Sequence, residues 1–352
     1  MTAATADAVW PHGGYGSDQP GMAPSRVERL SGIELGRIIA CLAVILIHQK
    51  SFEYGDTGYF YEALNQSARW AVPFFFVLSG YFMPAGRNWV SLTIKYFTRL
   101  FPVSVFWVAF YAWVEGEPLW FLEGTRHTLA MLAYGGSGYH LWFLPSLGVC
   151  LLIAAIVLQF FSAKVLFAVS AVLFSIGLLF GPYAPVVLDT PYDEISLPFS
   201  TRNGACFGLI FVSLGVLLRR YEVEANINTA FRLLGIGAAL TIAEIAFLWS
   251  AYDVPPTGVD FVLGTLPLGF GAALLFLSID IRQKVAAQFV RRLGSVSLGI
   301  YAVHLVVLRQ LTGALGPDSM ASGFLVALAA WAVSSAIALV GGQVPVLQRV
   351  FR

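Results

Sequence analysis

The sequence predicts an all-α polytopic membrane protein of about ten transmembrane helices with both termini cytoplasmic. Three observations lead there. First, 58% of the 352 residues are hydrophobic and 12% are charged, with mean hydropathy +0.75. That charged share is about half that of an ordinary soluble domain. Second, apolar stretches of about 20 residues, enough to cross a bilayer core, recur along nearly the whole length, which excludes a soluble core carried on one anchor. Third, the basic residues fall on alternate connections. Arg26, Arg29, Arg87, Lys95, Arg99, Lys164, Arg219, Arg220, Arg232, Arg282, Lys284, Arg291, Arg292, Arg349 and Arg352 put 15 of the 21 lysines and arginines on one side. By the positive-inside rule that side is cytoplasmic, and the number of spans is even.

Taken in order, residues 1–32 read as a disordered cytoplasmic tail, rich in Ala, Gly, Pro and Ser. No basic segment leads directly into an apolar core there, so the tail is not a secretory signal. The spans follow over 33–346, at roughly 33–52, 67–86, 97–115, 140–161, 164–181, 201–219, 231–251, 259–279, 294–313 and 322–345, and 347–352 read as a short cytoplasmic tail. The outer face carries Glu53, Asp56, Glu62, Glu115, Glu117, Glu123, Asp189, Asp193, Glu194, Asp253 and Asp318. Its longest connection, about 116–139, holds Trp120, Tyr134, Gly135, Gly136 and Tyr139. An interfacial aromatic belt is the simpler account of that composition, and a sugar-binding platform the sharper one.

Several classes are set aside by what the chain lacks. A net charge of +1 gives no basis for a nucleic-acid partner. Cys41, Cys150 and Cys206 each lie within an apolar stretch and read as small hydrophobes rather than a disulfide framework. His12, His48, His127, His140 and His304 show no paired ligand spacing, so no metal is expected, and Gly-rich nucleotide loops are absent.

The most informative pair is Arg37 and His48, inside the first apolar segment, GIELGRIIACLAVILIHQKSF. Eleven helical steps bring both side chains to one face, roughly 16 Å apart along the axis. Ionisable groups at such depth normally face a bundle interior or a watery cavity, because lipid exposure of an arginine costs at least about 2.5 kcal/mol. A structural account also exists, with Arg37 reaching the inner headgroups and His48 the opposite interface.

Arg37-x10-His48 resembles the signature of the membrane acyltransferase-3 family. It is joined, in the family's order, by FFFVLSGYF at 74–82, RLFP at 99–102, HLWFLPSL at 140–147 and SVSLGIYAVHL at 295–305, with Glu34 where the family often carries an acid. The resemblance implies a ten-helix enzyme of the bacterial cytoplasmic membrane that moves an acyl group from cytoplasmic acyl-CoA, acetyl-CoA above all, to a hydroxyl of a glycan acceptor. The residue chemistry agrees. An imidazole toward the outer side can take a proton from a sugar hydroxyl, and a guanidinium near the inner leaflet suits the donor's phosphates. Arg99 and Lys95 stand at the inner entry of the third span as further phosphate holders. Here the chain departs from the family's Arg-x-x-Arg: Tyr96 takes the first arginine's place, and the neighbouring Lys95, which lacks the bidentate fork, substitutes for it.

Other candidates are weaker. Ser297, Tyr301 and His304 share a face of the ninth span, where the imidazole can line an acyl tunnel, bond the tyrosine or simply pack. Ser79 next to Gly80 suits close helix approach better than acyl transfer, which would need an adjacent base. Trp142, with Phe143, fits either a belt or an acceptor site. Glu244, an acid deep in a span, is expected to partner Arg37 or His304.

The leading reading is therefore a membrane O-acyltransferase acting on a cell-surface or exported polysaccharide. Its rival is a proton-coupled exporter of a glycan or small solute, with Arg37, Glu244 and the histidines as a proton path. Transporters usually break helices at matched midplane positions of two halves; no internal repeat is evident, although Pro73, Pro145 and Pro267 can each kink a span. A purely structural role in polysaccharide export leaves the buried charges unexplained. The end at Arg352 leads to the expectation that the chain delivers the acyl group itself or through a polysaccharide-export or acyl-relay partner.

Overall fold

The computed structural model describes residues 29–49, 65–84, 88–117, 124–190, 195, 200–317 and 319–352. Nearly all of the expected N-terminal tail, together with Glu53, Asp56, Glu62, Trp120, Glu123, Asp193, Glu194 and Asp318, lies outside these residues. The described residues are helical throughout, without strands. The helices are α1 (Arg29–His48), α2 (Ala71–Tyr81), α3 (Trp89–Val114), α4 (Thr125–Tyr134), α5 (Phe143–Phe160), α6 (Ala163–Leu179), α7 (Ala184–Leu188), α8 (Leu209–Arg220), α9 (Ile227–Tyr252), α10 (Thr265–Ser278), α11 (Lys284–Gly294), α12 (Ser297–Leu315), α13 (Met320–Gly341) and α14 (Gln348–Phe351). A 3₁₀ turn, Tyr139–Trp142, leads into α5, and a π turn, Gly204–Gly208, leads into α8.

Helices occupy all ten expected span positions. Six stretches are long and apolar enough to cross a membrane: Ser31–His48, Trp89–Val114, Tyr139–Phe160, Ile227–Tyr252, Ser297–Leu315 and Ala321–Gly341. Ala163–Leu179 and Thr265–Ser278 are apolar but shorter. Exposed Phe231, Ile236, Ile242 and Phe247 stud α9, as expected of a face turned to lipid. The chain is a multi-pass membrane protein.

Several boundaries differ from expectation for physical reasons. The helix α1 starts at Arg29, inside the segment expected to be tail. The supposed terminal tail is the short helix α14, whose Val350 and Phe351 are buried and whose Val350 carbonyl accepts from the Trp107 indole at 3.0 Å. Pro73, Pro145 and Pro267 each stand third in their helices, α2, α5 and α10, where the missing N–H is unused, so they begin spans rather than kink them. Pro102 is the proline inside a described helix, α3. Two surface helices, α4 and α11, fall in segments expected to be connections.

The arrangement centres on α1, which touches α2, α10, α11, α12 and α13. Its N-terminal half carries two glycines four residues apart, Gly32 and Gly36. A Cβ at Gly32 would lie 2.4 Å from the Phe276 and Ile279 carbonyls of the α10 end, and one at Gly36 would lie 2.5 Å from the Phe74 ring of α2. The pair α2 and α8 is closer still. A Cβ at Gly80 would stand 2.0 Å from the Val212 carbonyl, and one at Gly215 would stand 1.9 Å from the Val77 carbonyl. That backbone-to-backbone approach is the physical role of the glycine in FFFVLSGYF.

Gly80→Ala is accordingly expected to force α2 and α8 apart, at a cost of about 1–3 kcal/mol or more. Thermal unfolding of the purified protein in detergent would register this as a lower midpoint, and an unchanged midpoint would contradict the crossing.

Candidate active site

Each polar side chain of the site is carried by an element whose local sequence explains its placement. His48 is the last residue of α1. After α4, Gly135 (φ 83°) and Gly136 (φ 54°) take left-handed conformations that residues with a Cβ rarely adopt, reversing the chain into the 3₁₀ turn that carries Tyr139 and His140. From α12 come Tyr301 and His304, and from the C-terminal end of α3 comes Tyr111.

These elements bring three imidazoles together. His48 and His304 stack at 23° with ring centroids 5.5 Å apart; His140 lies edge-on to His304 at 4.7 Å and to His48 at 6.2 Å. His48 is half-buried, whereas His140 and His304 are buried. The Tyr139 hydroxyl is 3.1 Å from His48 Nδ1. His304 Nδ1 lies 2.5 Å from the Tyr301 carbonyl of its own helix, and His140 Nε2 lies 3.3 Å from the Ala302 carbonyl. His304 thus bonds the tyrosine's backbone and not its phenol. The Tyr301 hydroxyl instead donates to the His140 carbonyl. The Tyr111 hydroxyl enters α12 at the Ala302–Val306 rung, donating to the Ala302 carbonyl at 2.9 Å and accepting from the Val306 N–H at 3.3 Å. Among the described residues no group of three or more His, Cys, Asp or Glu side chains is disposed to hold a metal ion.

Beside this cluster opens a cavity of about 370 Å³, lined among others by His127, Met131, Tyr134, Tyr139, Trp142 and Arg202. The Arg202 guanidinium lies 5.1 Å from the centre of the Trp142 ring and donates to Asp260 at 2.7 Å. Asp260 also receives Arg69, whose Nη1 reaches its carbonyl at 2.9 Å and its carboxylate at 3.4 Å. Arg309 is paired with Glu115 and stands 6.0 Å from the Tyr139 ring centre. Trp142 is therefore a wall of a polar-edged cavity rather than part of a lipid belt.

At the other end of α1, Arg37 donates to Glu34 at 2.7 Å, an i,i+3 pair with side chains 27% and 15% exposed. The second Glu34 oxygen is buried without a hydrogen-bond partner among the described residues. Lys95 and Arg99 are not brought to this pair. Both are exposed on α3, on a stretch with exposed Ile94, Phe97 and Phe101, and α3 packs chiefly against α5. Ser79 donates to the Phe75 carbonyl of its own helix at 2.8 Å. Glu244 corrects an expectation. It partners neither Arg37 nor His304: Tyr183 donates to one oxygen at 2.5 Å and the Gly264 N–H to the other at 2.8 Å. A carboxylate so held fastens α9 to the entry of α10.

A family model described as an acyltransferase domain, that of acyltransferase-3, matches residues 30–342. The chain belongs to this family. An amino-acid racemase of Enterococcus faecalis is 26% identical over 305 residues, covering 80% of this chain and 41% of that protein. A serine/alanine racemase of Enterococcus gallinarum is 28% identical over 291 residues, covering 78% and 40%. The chain thus spans about two fifths of the length of these curated relatives, and their names describe whole proteins more than twice as long as the matched region. No solved structure matches.

Of the residues singled out from sequence, His48, Tyr301, His304 and Trp142 converge on one site. His140, Tyr139, Tyr111 and the Arg69–Asp260–Arg202 cluster are additions from the fold. The family block HLWFLPSL begins with His140, and that was the available signal. Glu244→Leu is expected to destabilise the protein by about 1–3 kcal/mol, because the Tyr183 hydroxyl and the Gly264 N–H lose their acceptor. Glu244→Gln, whose single oxygen can serve only one of the two donors, should lose part of that stability; a loss equal to that of the leucine variant would assign Glu244 another role.

Proposed function

We propose that this protein is a membrane O-acyltransferase, in the simplest case an O-acetyltransferase, of a bacterial cytoplasmic membrane. It crosses ten times with both termini inside, and it moves an acyl group from cytoplasmic acyl-CoA to a hydroxyl of a cell-surface or exported polysaccharide. Membership of the acyltransferase-3 family supports the reaction class. The observation that carries the site is His48: a half-buried imidazole, held by Tyr139 at 3.1 Å, where Tyr139 also lines the cavity of Trp142 and Arg202. Aromatic faces with an adjacent guanidinium suit a sugar ring and its hydroxyls.

In this reading His48 is the general base. The acceptor O–H gives its proton to the imidazole as its oxygen attacks the thioester carbonyl; the C–S bond breaks, and the thiolate leaves with that proton. For this His48 Nε2 carries the lone pair and Nδ1–H donates to the Tyr139 oxygen, an assignment that follows from the role. Arg37, toward the cytoplasmic end of the same helix and still partly exposed, holds the donor's phosphates. The roughly 16 Å between the two matches a phosphate anchor and a reacting centre joined by a flexible arm. CoA is a polyanion that hydrocarbon excludes, so the acyl group alone traverses.

The rival reading, a proton-coupled exporter, would use Glu244 as a proton carrier. That carboxylate is bonded through both oxygens to Tyr183 and Gly264, which favours a structural duty.

His48→Ala should lower acyl transfer from acetyl-CoA by about 10²–10⁴-fold without loss of fold. Unchanged glycan acylation by mass spectrometry in cells carrying that variant would remove His48 from the mechanism. Arg37→Lys should raise the KM for acyl-CoA well above that of Arg99→Ala, since Arg37 lies on the helix of His48 and Arg99 on an exposed face of α3. The reverse order would move the donor site to α3. In sealed vesicles of known orientation, labelled acetyl-CoA on the cytoplasmic side should acylate polysaccharide on the opposite side; transfer confined to the donor's side would reject the transmembrane arrangement.

A further inference from the structure

We infer that His140 and His304 are positioning residues that act through His48, as two neutral acceptor dipoles stabilising the imidazolium formed when His48 takes the acceptor's proton. This rests on the acyl-transfer reading. The tautomers follow from the partners. A carbonyl oxygen can only accept, so His304 Nδ1, 2.5 Å from the Tyr301 carbonyl, carries the hydrogen, and so does His140 Nε2, 3.3 Å from the Ala302 carbonyl. That leaves a lone pair on His304 Nε2 and another on His140 Nδ1. Both nitrogens are buried, and neither has a hydrogen-bond partner among the described residues. Two buried acceptors without a donor are costly, typically about 1–3 kcal/mol each. Their rings stand 5.5 Å (His304, stacked) and 6.2 Å (His140, edge-on) from the His48 ring, centre to centre, and 4.7 Å from one another.

Protonated His48 places a positive charge beside these nitrogens, in stacked and edge-on contact rather than through a hydrogen bond. In a water-poor site an imidazolium needs a nearby negative end. A catalytic carboxylate usually provides it, also fixing the base's tautomer. Among the described residues no Asp or Glu bonds any of the three histidines; the guanidinium groups on this side, Arg69, Arg202 and Arg309, are themselves paired with Asp260 or Glu115. The carboxylate's two duties are therefore divided. Tyr139 orients His48, and the open nitrogens of His140 and His304, locked by α12 carbonyls, provide a preorganised negative potential that needs no reorganisation during reaction.

The test compares removal with conservation of the acceptor. His304→Leu and His140→Leu delete the lone pairs. His304→Gln can place an oxygen near the Nε2 position, and His140→Asn can place one near Nδ1. Steady-state transfer from acetyl-CoA should show kcat reduced about 10–100-fold in the leucine variants with KM for donor and acceptor nearly unchanged, and most of that loss recovered in the amide variants. Equal loss in leucine and amide variants, or loss confined to KM, would overturn the inference. A second readout needs no substrate. Diethyl pyrocarbonate acylates an imidazole nitrogen through a cationic intermediate, and its rate at His48 can be followed by peptide mass spectrometry on the folded protein. That rate should fall at least about fivefold in the leucine variants and recover in the amide variants, through the same stabilisation of a cationic imidazole. Should wild type transfer no acyl group while this pattern holds, the acyl-transfer reading fails and the imidazole coupling stands. Transfer in the wild type with His48 reactivity identical in all variants would sink the coupling alone.

Discussion

The site depends on two adjacent backbone carbonyls of α12. Carbonyl oxygens have two lone pairs, and in an α-helix the ladder uses one. At Tyr301 the carbonyl also takes His304 Nδ1; at Ala302 the Tyr111 hydroxyl stands in the rung, accepting from the Val306 N–H and donating to the carbonyl, whose other lone pair takes His140 Nε2. In return the Tyr301 hydroxyl reaches the His140 carbonyl. The α12 helix is thereby stitched to α3 and to the turn before α5, and the buried rings gain fixed orientations without a buried charge. Neutral groups suit this depth, because an ion at the same place would require a partner of opposite charge.

Much of the frame was legible in the sequence, because a span is a local property. About 20 apolar residues bounded by charge announce themselves, and six of the ten expected spans hold stretches long and apolar enough to cross a membrane, with shorter helices at the other four. A search at that length passes over α4 and α11, which are short and lie along surfaces, and over the extra turn of α1 from Arg29. The site was legible only where it was local. Arg37 with Glu34 lies within a single helical turn, and Arg37 with His48 lies within one helix. His140 joins His304 across 164 positions, and nothing in the spacing of five scattered histidines signals a cluster. Glu244 shows the same limit. Its burial was readable, but its partner was not, since Tyr183 approaches from 61 residues away through tertiary packing.

The two ends of α1 are built for different chemistry. The N-terminal half is packed by Gly32 and Gly36 directly against α10 and α2, and it carries Glu34 and Arg37. Gly294 at the end of α11 closes over Glu34, where a Cβ would stand 2.2 Å from its free oxygen. This ion pair is partly buried near the helix start, its side chains 27% and 15% exposed. The C-terminal half changes character: its polar group is the His48 imidazole, and the groups that meet it are a hydroxyl and imidazoles.

That division also bears on what can move. A transporter must offer its site to each side in turn, by rocking one bundle of helices against another. Here the contacts between helices include backbone-to-backbone approaches that leave no room for a methyl group, at Gly32, Gly80 and Gly215. Sliding along such contacts would separate surfaces that match only in one register, and close-packed interiors resist that kind of continuous deformation. The cavity of Tyr139, Trp142 and Arg202 meanwhile sits beside imidazoles whose tautomers are fixed by the backbone. A rigid scaffold with an ion pair toward one end of α1, a preorganised neutral centre at the other and a cavity at one side supports the proposed passing of a small neutral group between two bound partners. Carrying a whole solute through would require the packing around α1 and α2 to open.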